Sequence, residues 1–561
     1  MNGVTDTIQT YVSKFILKWG DAGLLYWQIY TVLLILYVTI LTIWIVNSNK
    51  ETNKIEILFW ISIVIATFLI RAPGLSRGYL NPDESEWIAS CNTLFQDPIF
   101  WFNHTYNTTR FFTVFLLIPF KIISPFFSHS VAQIAVISYT LLIIYLIYIS
   151  LGYFWDKRLS KILILPIWST VSLFTLWDYI AYNSEYACNV YISIVLILAV
   201  KSLNFEKNLL KKKLMLFSAG TMIGILPHAK DQSLTIAICL IVWFIIVHFR
   251  NRYYIWVLLS FIATNLIILT FIITVGEWEA LKLNIANRML NSEQGLVLET
   301  AKESRFISSL KNIFSVIDSR PILFIILFFI LINISKTKKI FTSKVRNLFL
   351  FLILWLLGSW FSVLLSTKFF PHYNIFFFLP FCLLGIILFW LNKDTHTFNK
   401  VKMITYLIVG VVVPTLYTLK NGNQALDISK TEDRLLQDPM SDEILKFTGR
   451  KQTLAIWGWN NNLYVNTGCS FGTRVPFPFY IENNFPSKEY DLKNYANDIK
   501  MRKPKVFIDT YSSWDESMEQ HIGGHRKFEG IKKTILDLYI PFRNKHNFDI
   551  FVLKEIFEDR I

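Results

Sequence analysis

Apolar residues in this chain are gathered into runs of about 16 to 25, the length a helix needs to cross a bilayer, rather than spaced as on one face of a soluble helix or strand. Such runs can fold only where every backbone N–H and C=O is paired internally, so they predict a bundle of membrane helices. Twelve spans are expected: Leu24 to Val46, Ile57 to Ile70, Val131 to Phe154, Ile162 to Tyr179, Val190 to Leu203, Leu214 to Leu226, Leu234 to Val247, Ile255 to Val275, Ile322 to Ile334, Leu348 to Leu365, Ile375 to Leu391 and Ile404 to Leu416. With 53% of the 561 residues hydrophobic and 16% aromatic, a soluble fold is excluded for most of the chain. The first run begins too late and is too long for a cleavable signal peptide, so none is expected.

The net charge of +15 does not mark a nucleic-acid partner. Its basic residues sit in short connections between spans: Lys157, Arg158 and Lys161; Lys207 and Lys211 to Lys213; Arg250 and Arg252; Lys336, Lys338, Lys339, Lys344 and Arg346; Lys393, Lys400 and Lys402. By the positive-inside rule these connections are cytoplasmic. The five cysteines show no paired spacing, so neither a zinc site nor a disulfide framework is expected.

The opposite connections carry the unusual polar residues. Asn81-Pro82-Asp83-Glu84-Ser85-Glu86 follows the second span, and carboxylates so close to a membrane are costly unless they act. Asp83 or Glu84 would serve as a base. Asp178 to Glu185, His228 to Gln232 and Lys368 to Tyr373 fall in other connections of the same face. Ionisable groups converging from several spans are what an active site at a membrane surface requires. That face is shared only if the apolar stretch Phe111 to Phe127 does not cross. Pro119, Lys121 and Pro125 interrupt it, so it is expected to be interfacial or re-entrant, with the loop 71–110 and both chain ends outside.

Simpler readings stand beside these. Asn81 and Asp83 fit a helix cap, Lys230 fits a snorkelling anchor, and His372-Tyr373 fits an interfacial belt. The stretch Leu281 to Leu310 reads as an amphipathic surface helix. Beyond residue 419 the composition turns polar. Thr453 to Trp459, Lys505 to Ile508 and Phe548 to Leu553 read as strands with a helix at Tyr490 to Met501, which gives an extracytoplasmic α/β domain over 420–561.

With Pro82-Asp83-Glu84, then Asp178 with Asn183-Ser184-Glu185, Ala229-Lys230-Asp231-Gln232, His372-Tyr373 with Pro380, and Ile456-Trp457-Gly458-Trp459, the chain resembles membrane glycosyltransferases of the GT-C fold. It looks most like the bacterial branch related to protein O-mannosyltransferases and the lipid A aminoarabinose transferase, glycosyltransferase family 39. The resemblance covers residues 1–419 as architecture and implies an all-α polytopic membrane domain. It implies a polyprenyl-phosphate-linked sugar as donor, and this chain accordingly lacks a nucleotide-binding glycine loop. Asp83 is implied as the base, with Glu84 orienting the sugar or assisting. Lys230 and His372 would hold the donor phosphate, with Arg77, Arg110 and Lys368 in reserve, and Asp178, Glu185, His228, Gln232 and Tyr373 would contact substrate. The aminoarabinose transferase's Lys-Pro-Pro element is replaced here by Thr108-Thr109-Arg110-Phe111, which leaves the phosphate ligand open.

The expected reaction is a single displacement with inversion, to a lipid, lipopolysaccharide intermediate, wall polymer, other glycan or protein hydroxyl at the outer face of a bacterial inner membrane. No cofactor is expected; a divalent metal is compatible, although no Asp-x-Asp element calls for one. Two alternatives remain: a transporter or flippase, and a surface-polysaccharide polymerase or ligase centred on Arg288 and Arg305.

Overall fold

A computed structural model describes the backbone from Asn2 and side chains from Leu25 onward, outside residues 48–51, 76–80, 105–110, 175, 205–207, 288–310, 312–341, 365–369, 391–399, 422–438, 477, 479–480, 482–484, 511–523, 543–548 and 559–561. Its first half comprises α1 (Asn2–Asn47), α2 (Asn53–Leu75), α3 (Pro82–Gln96), α4 (Pro98–His104), α5 (Phe111–Phe115), α6 (Ile118–Ile123), α7 (His129–Leu151), α8 (Lys157–Ser172), α9 (Trp177–Ile180), α10 (Ser184–Asn204), α11 (Leu209–Ala229), α12 (Leu234–His248) and α13 (Tyr254–Thr274). A short helix at 278–287 follows. The membrane half ends with α14 (Ser343–Leu364), α15 (Ile375–Trp390), and α16 (Lys400–Leu407) running through a π turn into α17 (Val413–Asn421).

Nine helices among the described residues are long and apolar enough to span a bilayer. Two of the twelve expected spans fall short of that description. The run expected at Ile162 to Tyr179 is α8, 16 residues that begin among Lys157, Arg158 and Lys161 and stop at Ser172; the run at Leu214 to Leu226 is α11, which starts with Lys211 to Lys213. Ile322 to Ile334 lies outside the described residues. Leu33, Ile40, Ile61 and Ile267 stay exposed on α1, α2 and α13, as lipid-facing side chains must.

Hydrogen bonds fix two levels in the bundle. At one, Trp27 Nε1 donates to Ile70 O at 3.0 Å and Gln28 Nε2 to Leu419 O at 2.9 Å, joining α1, the end of α2 and the end of α17. At the other, Lys161 Nζ lies 2.8 Å from Glu56 Oε2 and Tyr148 Oη donates to Glu56 Oε1 at 2.7 Å, joining the start of α2, the end of α7 and the start of α8. Of the basic connections, the described residues Lys157, Arg158, Lys211 to Lys213, Arg250, Arg252, Lys344, Arg346 and Lys402 fall at the helix ends of the second level. Asp83, Asp178, Glu185, Lys230 and His372 stand at the first.

α5 and α6 are 5 and 6 residues long, far too short to cross. They form a hairpin that dips into the bundle and returns. Its carbonyls are capped by tyrosines from the surrounding helices: Tyr182 Oη donates to Thr113 O at 2.6 Å, Tyr191 Oη to Phe112 O at 2.8 Å, and Tyr139 Oη to Leu116 O. Irregular backbone at such depth survives only with partners of this kind. The segment therefore does not cross as a continuous helix, which fits the expectation that it is interfacial or re-entrant.

Close approach of α11 to α13 depends on Gly220 and Gly224. A Cβ on Gly220 would sit 2.2 Å from Val257 O, and one on Gly224 2.9 Å from Thr264 Cβ. Small residues four apart let two membrane helices meet backbone to backbone.

The tail contains α18 (Pro439–Thr448), β1 (Thr453–Trp457), α19 (Asn462–Thr467), β2 (Ser470–Phe471), α20 (Lys488–Arg502), β3 (Val506–Asp509), α21 (Glu529–Leu538), β4 (Tyr539–Phe542), β5 (Asp549–Leu553) and α22 (Lys554–Glu558). The sheet order is β2-β1-β3-β5-β4, with β1 parallel to β2 and β3, and β5 antiparallel to β3 and β4. Three strands match expectation within two residues; β2 is only two residues long and β4 carries Pro541, so neither reads as a strand in sequence. One face of the sheet packs on α20 and α21. The other shares its core with the membrane half: Ala89 of α3 and Phe100 of α4 are buried among Leu454, Ile456, Leu463, Tyr464 and Ile508. Phe471 N donates to Thr93 Oγ1 at 3.0 Å, Gln96 Nε2 to Gly468 O at 2.8 Å, and Arg502 pairs with Asp97 at 2.8 Å while lying 3.6 Å over the Phe100 ring.

Candidate active site

Six elements meet at the first level. α3 starts sharply because Asn81 is extended (φ −146°, ψ 136°) and accepts from Asp83 N at 2.7 Å, with Pro82 at the first helical position. The capping expectation is thus correct for Asn81, and the cap has a second task. Its Nδ2 donates to Asp178 Oδ1 at 2.5 Å, so the start of α3 is tied to α9. The other oxygen of Asp178 lies 3.4 Å from His372 Nδ1, in the one-turn helix Pro371–Asn374 that leads into α15. Glu185, in the first turn of α10 and fully buried, pairs with Lys230 Nζ at 2.8 Å. Lys230 sits between α11 and α12 and lies 4.9 Å over the Tyr373 ring. α10 and α15 are also the most enclosed spans, 78% and 89% buried.

Asp83 faces the charges of His372, Lys230, Glu185 and Asp178. Three carboxylates therefore share two basic groups, and the pairing is uneven. Asp178 is held by Asn81 and His372, and Glu185 by Lys230, whereas Asp83 forms no ion pair among the described residues and keeps a little accessible surface. Burial lifts the Asp83 carboxyl above the ordinary range; His372 and Lys230 pull it down, and Glu185 and Asp178 push it up again. Burial alone would push the Lys230 ammonium down, but Glu185, Tyr373 and Asp83 hold it above its usual value. The result is a permanent cation beside a carboxylate of raised basicity.

Glu84 lies apart from this group. It is fully buried, its Oε1 accepts from Tyr182 N at 2.8 Å, and Gln133 of α7 reaches its carboxyl. Burial pushes it up to about 8, so it is mostly protonated at neutral pH. The neighbouring Ser85 Oγ lies 2.9 Å from His129 Nε2. Helical residues in sequence point about 100° apart, so Glu84 turns into the protein where Asp83 turns to the cluster. There its carboxyl ties the start of α3 to Tyr182 and to Gln133 of α7.

His228 is likewise turned aside, its Nε2 2.9 Å from Asn265 Oδ1 of α13. Gln232 lies in the one-turn helix Asp231–Ser233 beside Lys230. Arg77, Arg110 and Lys368, and the Arg288 and Arg305 of the polymerase alternative, lie outside the described residues. Two amides were not anticipated. Asn81 reads as a plain cap in sequence, and Asn374 is a neutral residue next to a Tyr; yet both polar atoms of the Asn374 side chain are buried without a partner among the described residues. Below the cluster an apolar crevice is lined by Ile143, Phe174, Tyr186, Ile375 and Phe378.

These features define a polytopic membrane protein with its ionisable groups collected at one membrane surface under an α/β domain. The chain has the GT-C fold. It is similar to the crystal structure of ArnT from Cupriavidus metallidurans bound to undecaprenyl phosphate, with a TM-score of 0.56 and 9% identity over 89% of this chain and 98% of ArnT. The apo form of the same ArnT gives 0.51 and 9% over 88% and 97%. The oligosaccharyltransferase AglB from Archaeoglobus fulgidus follows at 0.43, with 12% identity over 89% of this chain and 75% of AglB. No family model and no curated protein matches the sequence.

Proposed function

We propose that this chain is a membrane glycosyltransferase that moves a sugar from a polyprenyl-phosphate donor to an acceptor hydroxyl at the surface beneath the α/β domain. The observation that carries the reading is the uneven pairing just described: among the described residues Asp83 alone of the three clustered carboxylates has no ion pair, and it stands beside Lys230. A base must be free to take a proton, and a leaving phosphate must meet positive charge.

In this reading the acceptor oxygen attacks the anomeric carbon and its proton passes to Asp83. The bond from that carbon to the phosphate oxygen breaks, and its electron pair leaves on the polyprenyl phosphate. Lys230, with two N–H groups beyond the one directed at Glu185, and His372 receive the phosphate. Asp178 orients His372, and Asn374 finds its partner in the substrate. One displacement inverts the anomeric centre. The bound lipid of the similar ArnT structure supports a polyprenyl phosphate as carrier. The basic connections at the opposite end support an extracytoplasmic site in a bacterial inner membrane.

The test is to incubate the purified chain with radiolabelled polyprenyl-phosphate sugars and a membrane extract as acceptor. Stoichiometric release of polyprenyl phosphate with labelled acceptor is the expected result. Absence of transfer from every polyprenyl-phosphate sugar, with label moving instead from a pyrophosphate-linked chain, would sink the reading.

A further inference from the structure

A second group of ionisable side chains lies away from the Asp83 cluster, where the re-entrant hairpin meets the α/β domain. Lys121 on α6 is only 8% exposed. Its Nζ donates to Asn92 Oδ1 and to Pro125 O, both at 2.7 Å and both neutral. The third N–H has no acceptor among the described residues. A buried ammonium is normally matched by a carboxylate, and here none lies within ion-pair distance among those residues.

The turn that leads into β1 brings two more cations to the same place. Arg450 and Lys451 are exposed, Arg450 lies 4.9 Å over the ring of Phe126, and Lys451 acts on Lys121 as a like charge. Neither has an anionic partner among the described residues. Lys451 reaches its position with φ 67°, a left-handed conformation that costs a lysine energy and that the preceding Gly449 (φ 63°) takes freely. Three cations from two separate parts of the chain therefore converge without a counter-charge among the described residues. Immediately beside Lys121, Ile122 and Ile123 are 66% and 61% exposed. They lie on a segment that enters the membrane, so the surface pairs bare apolar side chains below with bare positive charge above. That is the profile of a phospholipid at the boundary, acyl chains down and phosphate up.

We infer that Lys121, Arg450 and Lys451 bind the phosphate of a membrane-lipid headgroup whose chains lie along Ile122 and Ile123. The site is separate from the Asp83 cluster and stands whether or not the proposed transfer does. A lipid held there bridges the hairpin and the α/β domain.

The experiment is native mass spectrometry of the full chain purified with phosphatidylglycerol or with phosphatidylcholine, for the wild type, R450E/K451E and K121Q. The two exposed charge reversals leave the core untouched. Retention of phosphatidylglycerol should fall by about fivefold for each surface cation removed, and K121Q should weaken it as well. Asp83→Asn should retain the lipid as the wild type does, which separates this site from the transfer reaction. Equal retention of the two lipids, or unchanged retention in R450E/K451E, would overturn the assignment. Full displacement of phosphatidylglycerol by millimolar glycerol phosphate would also overturn it, since the phosphate alone would then be the ligand.

Discussion

Adjacent acids on one helix have opposite fates here, and the cause is helical geometry. Asp83 faces Lys230 and His372, whereas Glu84 faces Tyr182 and Gln133. Because burial raises Glu84 from 4.5 to about 8, the folded state holds its proton more tightly than the unfolded chain. The stabilising contribution is complete below pH 4.5 and is lost as pH rises through about 8. Glu84→Gln should therefore melt like the wild type in acid and become the more stable of the two above pH 8, with transfer activity largely kept; a variant without activity would restore Glu84 to the chemistry. Lys230→Met should do more damage, because the fully buried Glu185 loses its partner at 2.8 Å. An uncompensated buried carboxylate costs about 3–5 kcal/mol, so denaturant unfolding should shift by that order and donor binding should fail. Lys230→Arg should recover stability before activity. Asp178, Glu185, Lys230 and His372 were legible in the sequence because charges at span ends are expensive and few. Asn81 and Asn374 were not, because a neutral amide in a connection has many ordinary uses.

At the level of elements, the membrane spans were readable wherever an apolar run was long and free of charge. α8 and α11 were read with the wrong ends because basic residues occupy their first turns and the helices begin inside those charges. The hairpin of α5 and α6 was readable from its prolines. What local pattern cannot reveal is that α3 has two anchors. Its first turn is bonded to α9 through Asn81, and its last turn is bonded to the α/β domain through Thr93, Gln96 and Asp97. The domain thereby helps aim Asp83 without touching it. Arg502→Ala removes both the pair with Asp97 and the contact with Phe100, so it should lower kcat several-fold while leaving donor KM close to the wild-type value. Arg502→Lys should rescue in part, since it keeps the charge without the flat face over Phe100. A change in KM alone would mean that the domain acts on substrate and not on α3.

Across the whole molecule, one asymmetry organises the architecture. Basic connections collect at one end of the bundle, while the ionisable cluster, the re-entrant hairpin and the α/β domain collect at the other. Composition announced the membrane and the charge pattern announced the two ends, but the shared core of α3, α4 and the sheet depends on contacts between residues hundreds of positions apart. The account rests on Asp83 being a free carboxylate poised to accept a proton. The decisive measurement is the single-turnover transfer rate of wild type and Asp83→Asn at saturating polyprenyl-phosphate sugar, followed across pH. Loss of a general base should slow transfer by about 10²–10⁴-fold with donor binding intact. The wild-type rate should rise with pH through a value above the ordinary carboxylate pKa, and the variant should lose that dependence. A variant that transfers sugar at the wild-type rate would contradict the account.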